Sequence, residues 1–172
     1  MGGYVAFAFV KKYPHRVQAL ILADTRAEAD TTEARSRREQ QAQAALKDGP
    51  HELVNQMIVK MVTEKTFTND PRLVERIRRM MESTSPAGIA GALRGMAQRA
   101  DSTPLLRSIQ VPTLIIVGGE DSLTTVADAR KMADEIPNSD LVVVPEAAHL
   151  TTLEKPQEVN AAIRGFLQRV FD

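Results

Sequence analysis

The stretch MGGYVAFAFVKKYPHRVQALILAD, residues 1–24, decides the fold of this chain. Gly2 and Gly3 stand at the foot of an apolar run. Without a Cβ they let a helix start pack hard against a strand or a neighbouring backbone. Val5, Ala6, Phe9 and Val10 then fall at helical spacing, and Lys11 and Lys12 put positive charge in the last turn, where the helix dipole favours it. Tyr13-Pro14 stops the helix, and Val17 to Ala23 reads as a buried strand ending at Asp24. A helix, a proline stop, an apolar strand and a terminal acid make one unit of a parallel α/β sheet, whose strands are covered on both faces by crossover helices.

Working outward, the pattern changes after Asp24. Asp30 and Glu33 are spaced as a capping box before a helix that runs through Leu46 and stops at Gly49-Pro50. Leu53, Val54, Met57, Ile58, Met61 and Val62 form one apolar stripe of helical period. Asp70-Pro71 and Ser85-Pro86 each pair an N-cap with proline at the first helical position. The helices they open carry Leu73, Val74, Ile77, Met80 and Met81 on one face, and Ile89, Leu93 and Met96 on the other's. Gly88, Gly91 and Gly95 suggest close packing or room for a ligand. Residues 25–103 are therefore expected to be an all-helical insertion between 1–24 and 104–172. Its methionines, Met57, Met61, Met80, Met81 and Met96, fill a core by default; the sharper reading is a cap whose pliable thioethers line a pocket for an apolar substrate.

After Pro104 the strand signals return. Thr113 to Val117 is a β-branched run closed by Gly118-Gly119, Val126 to Ile136 a helix, and Leu141 to Val144 the next strand. Pro156 opens a last helix whose Val159, Ala162, Ile163, Phe166, Leu167 and Val170 keep one face apolar. Asp121 lies in the turn after the first of these strands and His149 in the loop after the second. They stand 28 positions apart, one strand–helix–strand excursion, and so meet at the carboxyl edge where open α/β sheets place their chemistry. A serine-type hydrolase needs an imidazole to take the nucleophile's proton and a carboxylate to fix its tautomer. Asp24 also ends a strand and is a second candidate acid. His15 in a connection and His51 in the first turn of a helix read as ordinary surface groups. Ser122 and Thr124 lack the strand-to-helix elbow of a nucleophile.

Composition narrows the function classes. Lys and Arg number 22, Asp and Glu also 22, so no net charge drives binding to a phosphate backbone, and no nucleic-acid partner is expected. No apolar run reaches 18 residues, and the first turn lacks a signal-peptide pattern, so neither a membrane partner nor export is expected and the compartment is read as cytoplasmic. The absence of cysteine removes disulfides and thiolate chemistry. No metal-ligand spacing or cofactor motif is present, so no metal and no cofactor are expected.

Met1-Gly2-Gly3-Tyr4, Tyr13-Pro14-His15-Arg16-Val17, Val117-Gly118-Gly119-Glu120-Asp121, Ala147-Ala148-His149-Leu150 and Leu153-Glu154-Lys155-Pro156 resemble the α/β-hydrolase superfamily in the part that follows its nucleophile. In that family the serine sits in a G-x-S-x-G elbow and the triad order is Ser, Asp or Glu, His. Ala148 and Thr125 depart from the family's frequent Gly and Pro. The resemblance implies a partial α/β-hydrolase fold, with three parallel strands like the sixth to eighth and a helical lid at 25–103. It implies His149 as general base and Asp121 as triad acid, with Asp24 the alternative because some relatives place the acid after the earlier strand. The serine would be the residue before Met1, and the Met1 backbone nitrogen, an oxyanion donor in the family, would be compromised as a chain start. The implied activity is Ser-Asp-His hydrolysis of a small-molecule ester, lactone or related acyl substrate, with this chain inactive in isolation. The second reading is a non-catalytic binding module built on the same fold. In the parent fold the strand 17–23 pairs with an elbow strand, so here a bare edge and self-association are expected.

Overall fold

A computed structural model describes residues 1–172. Along the chain run α1 (Gly2–Lys12), β1 (Leu20–Ala23), α2 (Thr32–Asp48), α3 (His51–Met61), α4 (Glu64–Asn69), α5 (Pro71–Glu82) and α6 (Pro86–Ala97). Then follow β2 (Thr113–Gly118), α7 (Val126–Glu135), β3 (Ser139–Val144), α8 (Thr151–Glu154) and α9 (Pro156–Phe171), with 3-10 turns at Pro14–Arg16 and Thr103–Ser108. The chain divides into two compact units, Met1–Ala27 with Ser102–Asp172, and Glu28–Asp101.

The first unit is a parallel sheet in the order β1-β2-β3, with Leu20 opposite Thr113 and Thr113 opposite Ser139. β2 is buried along its whole length because it has a strand on each side and helices on both faces. Alternate side chains of a strand point to opposite faces. Accordingly Ile115 and Val117 join Leu22, Phe7 and Val10 of α1, and Ala129 and Met132 of α7. Leu114 and Ile116 join Val144, and Val159 and Phe166 of α9. Each large apolar side chain so enclosed contributes about 1.5–3 kcal/mol of transfer free energy.

β1 is shorter than the expected strand 17–23. It starts at Leu20, whose N–H donates to the Pro112 carbonyl at 2.9 Å. Pro112 has no N–H to return, so the ladder cannot extend to earlier residues on that side. Of the opening glycines only Gly3 makes a close approach: a Cβ there would lie 2.3 Å from Thr25 Oγ1, whereas nothing comes within 4 Å at Gly2. α1 therefore begins beside the carboxyl end of β1.

The second unit is wholly helical. α2 packs along α6 through Ala42, Ala90 and Leu93, with Leu53, Ile89 and Met96 around them. α3 packs against α5, and Val54, Ile58, Val74 and Ile77 are their buried residues. Asp70 and Ser85 cap as expected, accepting from Leu73 N at 3.0 Å and Gly88 N at 3.1 Å. Asp30 does not cap α2. Thr31 does, accepting from Ala34 N at 3.2 Å, while the buried Asp30 carboxylate pairs with Arg38 and, at 2.8 Å, with Arg99. Burial alone would raise the Asp30 carboxyl; the two guanidiniums outweigh it and hold it below the usual range. The six-residue α4, capped by Thr63, is too short to show a period and was not foreseen. Gly91 and Gly95 have open space where a Cβ would stand, and Gly88 touches only Ser85 and Thr84 beside its own cap, so these glycines mark no close packing against another element. No helix is long and apolar enough to cross a membrane.

Candidate active site

The carboxyl ends of β1, β2 and β3 each release a short segment with a functional side chain. After β2 the acid turn is stitched to the loop that follows β3: Gly119 N donates to Val144 O at 2.8 Å and Glu120 N to Ala147 O at 2.9 Å. Gly118 is glycine because that loop lies on it. A Cβ there would stand 2.2 Å from the Ala148 carbonyl oxygen and 2.4 Å from that of Ala147.

Asp121 sits in this turn with its side chain fully enclosed. Its Oδ1 accepts from Leu123 N at 2.7 Å and Thr124 N at 3.0 Å, an aspartate turn of ordinary type. Its Oδ2 accepts from Thr124 Oγ1 at 2.6 Å and lies 2.9 Å from His149 Nδ1. Burial would raise this carboxyl, but the hydrogen bonds from His149 and Thr124 outweigh burial and hold it below the ordinary value. Facing a carboxylate, Nδ1 carries the proton, which leaves the Nε2 lone pair to accept one. The imidazole remains 21% exposed, enough for a reacting group to reach it.

The histidine loop is anchored on its own far side as well. Ala147 and Ala148 are buried, Glu146 adopts a left-handed φ of 51°, and Ala148 N donates to Glu154 Oε2 of α8 at 2.7 Å.

Asp24 is not bonded to the imidazole. It leaves β1 with a left-handed φ of 47°, its Oδ1 accepts from Gly118 N at 3.3 Å, and its Oδ2 accepts from Thr151 Oγ1 at 2.6 Å. Burial pushes its carboxyl up to about 6; the Thr151 hydroxyl and the charge of His149 oppose the rise, and the charge of Asp121 adds to it. Of the two acids foreseen in sequence, Asp121 therefore holds Nδ1, and Asp24 holds Gly118 N and the Thr151 hydroxyl.

The other foreseen residues belong to other elements. Met1 is the N-cap of α1, its carbonyl accepting from Tyr4 N at 3.0 Å and Val5 N at 3.3 Å. The five methionines belong to the helical unit: Met57 and Met61 on α3, Met80 and Met81 on α5, Met96 on α6. Met96 packs on the Ala42–Ala90–Leu93 cluster, Met80 is 48% exposed, and the other three are half-buried. His15 is exposed in a 3-10 turn, and His51 opens α3 with Nδ1 2.9 Å from Glu82 Oε1. Thr124, Thr151 and Glu154 were missed as site residues. Only Thr124, three positions after Asp121, had a local signal, the spacing of a side-chain turn.

Parallel strands joined by crossover helices, with an acid turn after one strand bonded to a histidine loop after the next, define a chain of the α/β-hydrolase class. It belongs to that superfamily: the family described as Serine aminopeptidase, S33 matches residues 1–156. The chain is 30% identical over 169 residues to 3-oxoadipate enol-lactonase 2 of Acinetobacter baylyi, covering 98% of itself and 61% of that protein. A thermophilic esterase from Thermogutta terrifontis is 44% identical and superposes with a TM-score of 0.97 over 99% of this chain and 63% of its own. The enol-lactonase from Burkholderia xenovorans is 26% identical, with a TM-score of 0.89 over 98% and 63%. The chain thus spans a little over three-fifths of the length of these relatives.

Proposed function

We propose that this chain supplies the acid and base of a Ser-Asp-His hydrolase acting on an ester, lactone or related acyl carbonyl. The observation that carries it is the 2.9 Å contact between buried Asp121 Oδ2 and His149 Nδ1 at the carboxyl edge of a parallel sheet. Nε2 of His149 takes the proton of an attacking hydroxyl as that oxygen bonds the acyl carbon. The imidazolium, stabilised by Asp121, returns the proton to the leaving alcohol oxygen. The nucleophile comes from outside these 172 residues, so the chain alone is inactive or nearly so. The resemblance implies that the helical unit, Glu28–Asp101, serves as a lid that sets the choice of acyl substrate. Relatives named as an esterase and as enol-lactonases support the substrate class, since both reactions open an acyl–oxygen bond.

The test joins this chain to the part of the Thermogutta esterase that lies outside the matched 63%. The chimera should hydrolyse p-nitrophenyl acetate, and His149→Ala or Asp121→Asn should lower kcat by about 10⁴-fold, the scale of a disabled triad. The chain by itself should match the uncatalysed control. An active chimera indifferent to His149→Ala would overturn the assignment, and His149-dependent turnover by the chain alone would overturn its dependence on an outside nucleophile.

A further inference from the structure

Asp24 occupies the junction of all three strand ends, and its geometry is not that of a spare acid. In a regular parallel ladder the Gly118 N–H would go to the backbone carbonyl of residue 24. The left-handed turn at Asp24 takes that carbonyl away, and the side-chain Oδ1 accepts the Gly118 N–H instead, at 3.3 Å. The second oxygen reaches across to Thr151, a fully buried hydroxyl two positions beyond His149, at 2.6 Å. One carboxylate therefore spans from the root of the acid turn to the far end of the histidine loop.

We propose that Asp24 is a positioning residue, a strap from β1 that holds the Asp121 turn and the His149 loop at the separation their hydrogen bond requires. This rests on the Asp121–His149 reading above. The backbone ties between those segments, Glu120 N to Ala147 O and Gly119 N to Val144 O, both lie before His149 in the chain, and Thr124 Oγ1 meets His149 itself, 3.3 Å from Nδ1. Asp24 fixes the loop on the other side, through Thr151, so His149 is held from both directions. Both of its partners are donors, and only a carboxylate presents an acceptor on each of two oxygens. Asparagine tolerates the same left-handed backbone but could hold Thr151 only by donating its amide N–H to the hydroxyl oxygen, whereas glycine, which also tolerates that backbone, removes both acceptors. Serine or threonine would be too short to bridge.

The test reads the Nδ1 proton of His149 by NMR in the chain as it stands, labelled at histidine nitrogen, with thermal unfolding as the check on folding. In the parent, this proton should exchange slowly with water, and Asp121→Asn should abolish its protection. Asp24→Gly removes the strap, Thr151→Val removes its far end, and each should speed exchange about ten-fold or more, the factor carried by one hydrogen bond of ordinary net strength. Thr151→Ser, which keeps the hydroxyl, should restore the parent rate. If Asp24→Gly fails to fold, Thr151→Val against Thr151→Ser decides the matter. Parent-like exchange in Thr151→Val or in folded Asp24→Gly overturns the strap and leaves the Asp121–His149 pair standing. Parent-like exchange in Asp121→Asn overturns the pair and the strap with it.

Discussion

Replacing Gly118 by alanine is the sharpest single perturbation of the site, because it adds one methyl group and no charge. Gly118 does not adopt a left-handed φ, so alanine meets no backbone penalty there. The new Cβ would stand 2.2 Å and 2.4 Å from the carbonyl oxygens of Ala148 and Ala147, which are backbone atoms with no rotamer to escape into. Relief requires the histidine loop to retreat by roughly 1 Å, since ordinary contact begins near 3.4 Å. That retreat stretches Glu120 N to Ala147 O, now 2.9 Å, and Ala148 N to Glu154 Oε2, now 2.7 Å. Overpacking of this kind costs about 1–3 kcal/mol, and each weakened buried hydrogen bond about 1 kcal/mol more. Set against about 0.4–1 kcal/mol gained from a stiffer unfolded chain, the net loss is about 3 kcal/mol. For a chain of this length that lowers Tm by roughly 10 °C. Scanning calorimetry measures the shift, and histidine NMR should show the Nδ1 proton of His149 unprotected at temperatures where the variant is still folded. A Tm within about 2 °C of the parent, with that proton still protected, would refute the reasoning that this glycine is fixed by the loop above it.

Asp24 should leave a signature in the pH dependence of stability. Its carboxyl is raised in the fold from 3.8 to about 6, so it favours folding most below the lower value, and this contribution is lost as pH rises toward the higher. At about 1.4 kcal/mol per pH unit, the parent should lose about 2 kcal/mol relative to Asp24→Asn between pH 4 and 7, read from urea melts at each pH. In the helical unit, Asp30→Ala takes the buried carboxylate away from Arg38 and Arg99 and should destabilise by about 3 kcal/mol, measured by the same melts. Phe166→Ala empties the face of the sheet covered by α9 and should cost about 3–5 kcal/mol, checked by calorimetry. The outer edge of β1 pairs with no strand and borders a groove of about 660 Å³ lined by Val5, Phe9, Leu20, Phe166 and Phe171. We expect a second copy of the chain to associate there, giving a molar mass by light scattering that rises with concentration and falls when Ile21 is replaced by lysine.

The three-strand topology was legible because each strand announces itself as an apolar run closed by Asp24, by Gly118-Gly119 or by Pro145. Asp121 and His149 followed from the same periodicity, since strand ends in a parallel sheet share one edge. What the sequence hid depends on contacts between distant segments. Nothing local marks Thr151 as the partner of Asp24, 127 positions away. Asp30 reads as a cap by spacing, yet a residue one place on does the capping because two arginines claim the acid first. Gly91 and Gly95 look like close approaches and are not. Glycine in a pattern signals freedom, and only the surrounding atoms decide whether that freedom is used.

The helical insertion leaves and rejoins the sheet unit at one point, where Ser102 N donates to Ala27 O at 2.9 Å. Its two ends are thus clasped like the neck of a drawstring. β1 and β2 pair across that neck, so their meeting during folding carries the loop entropy of a short connection once the helices have formed, not of the whole intervening chain. An excised version with Ala27 linked to Ser102 through a few flexible residues should still assemble the three strands, and should do so faster, as a contact map of lower order demands.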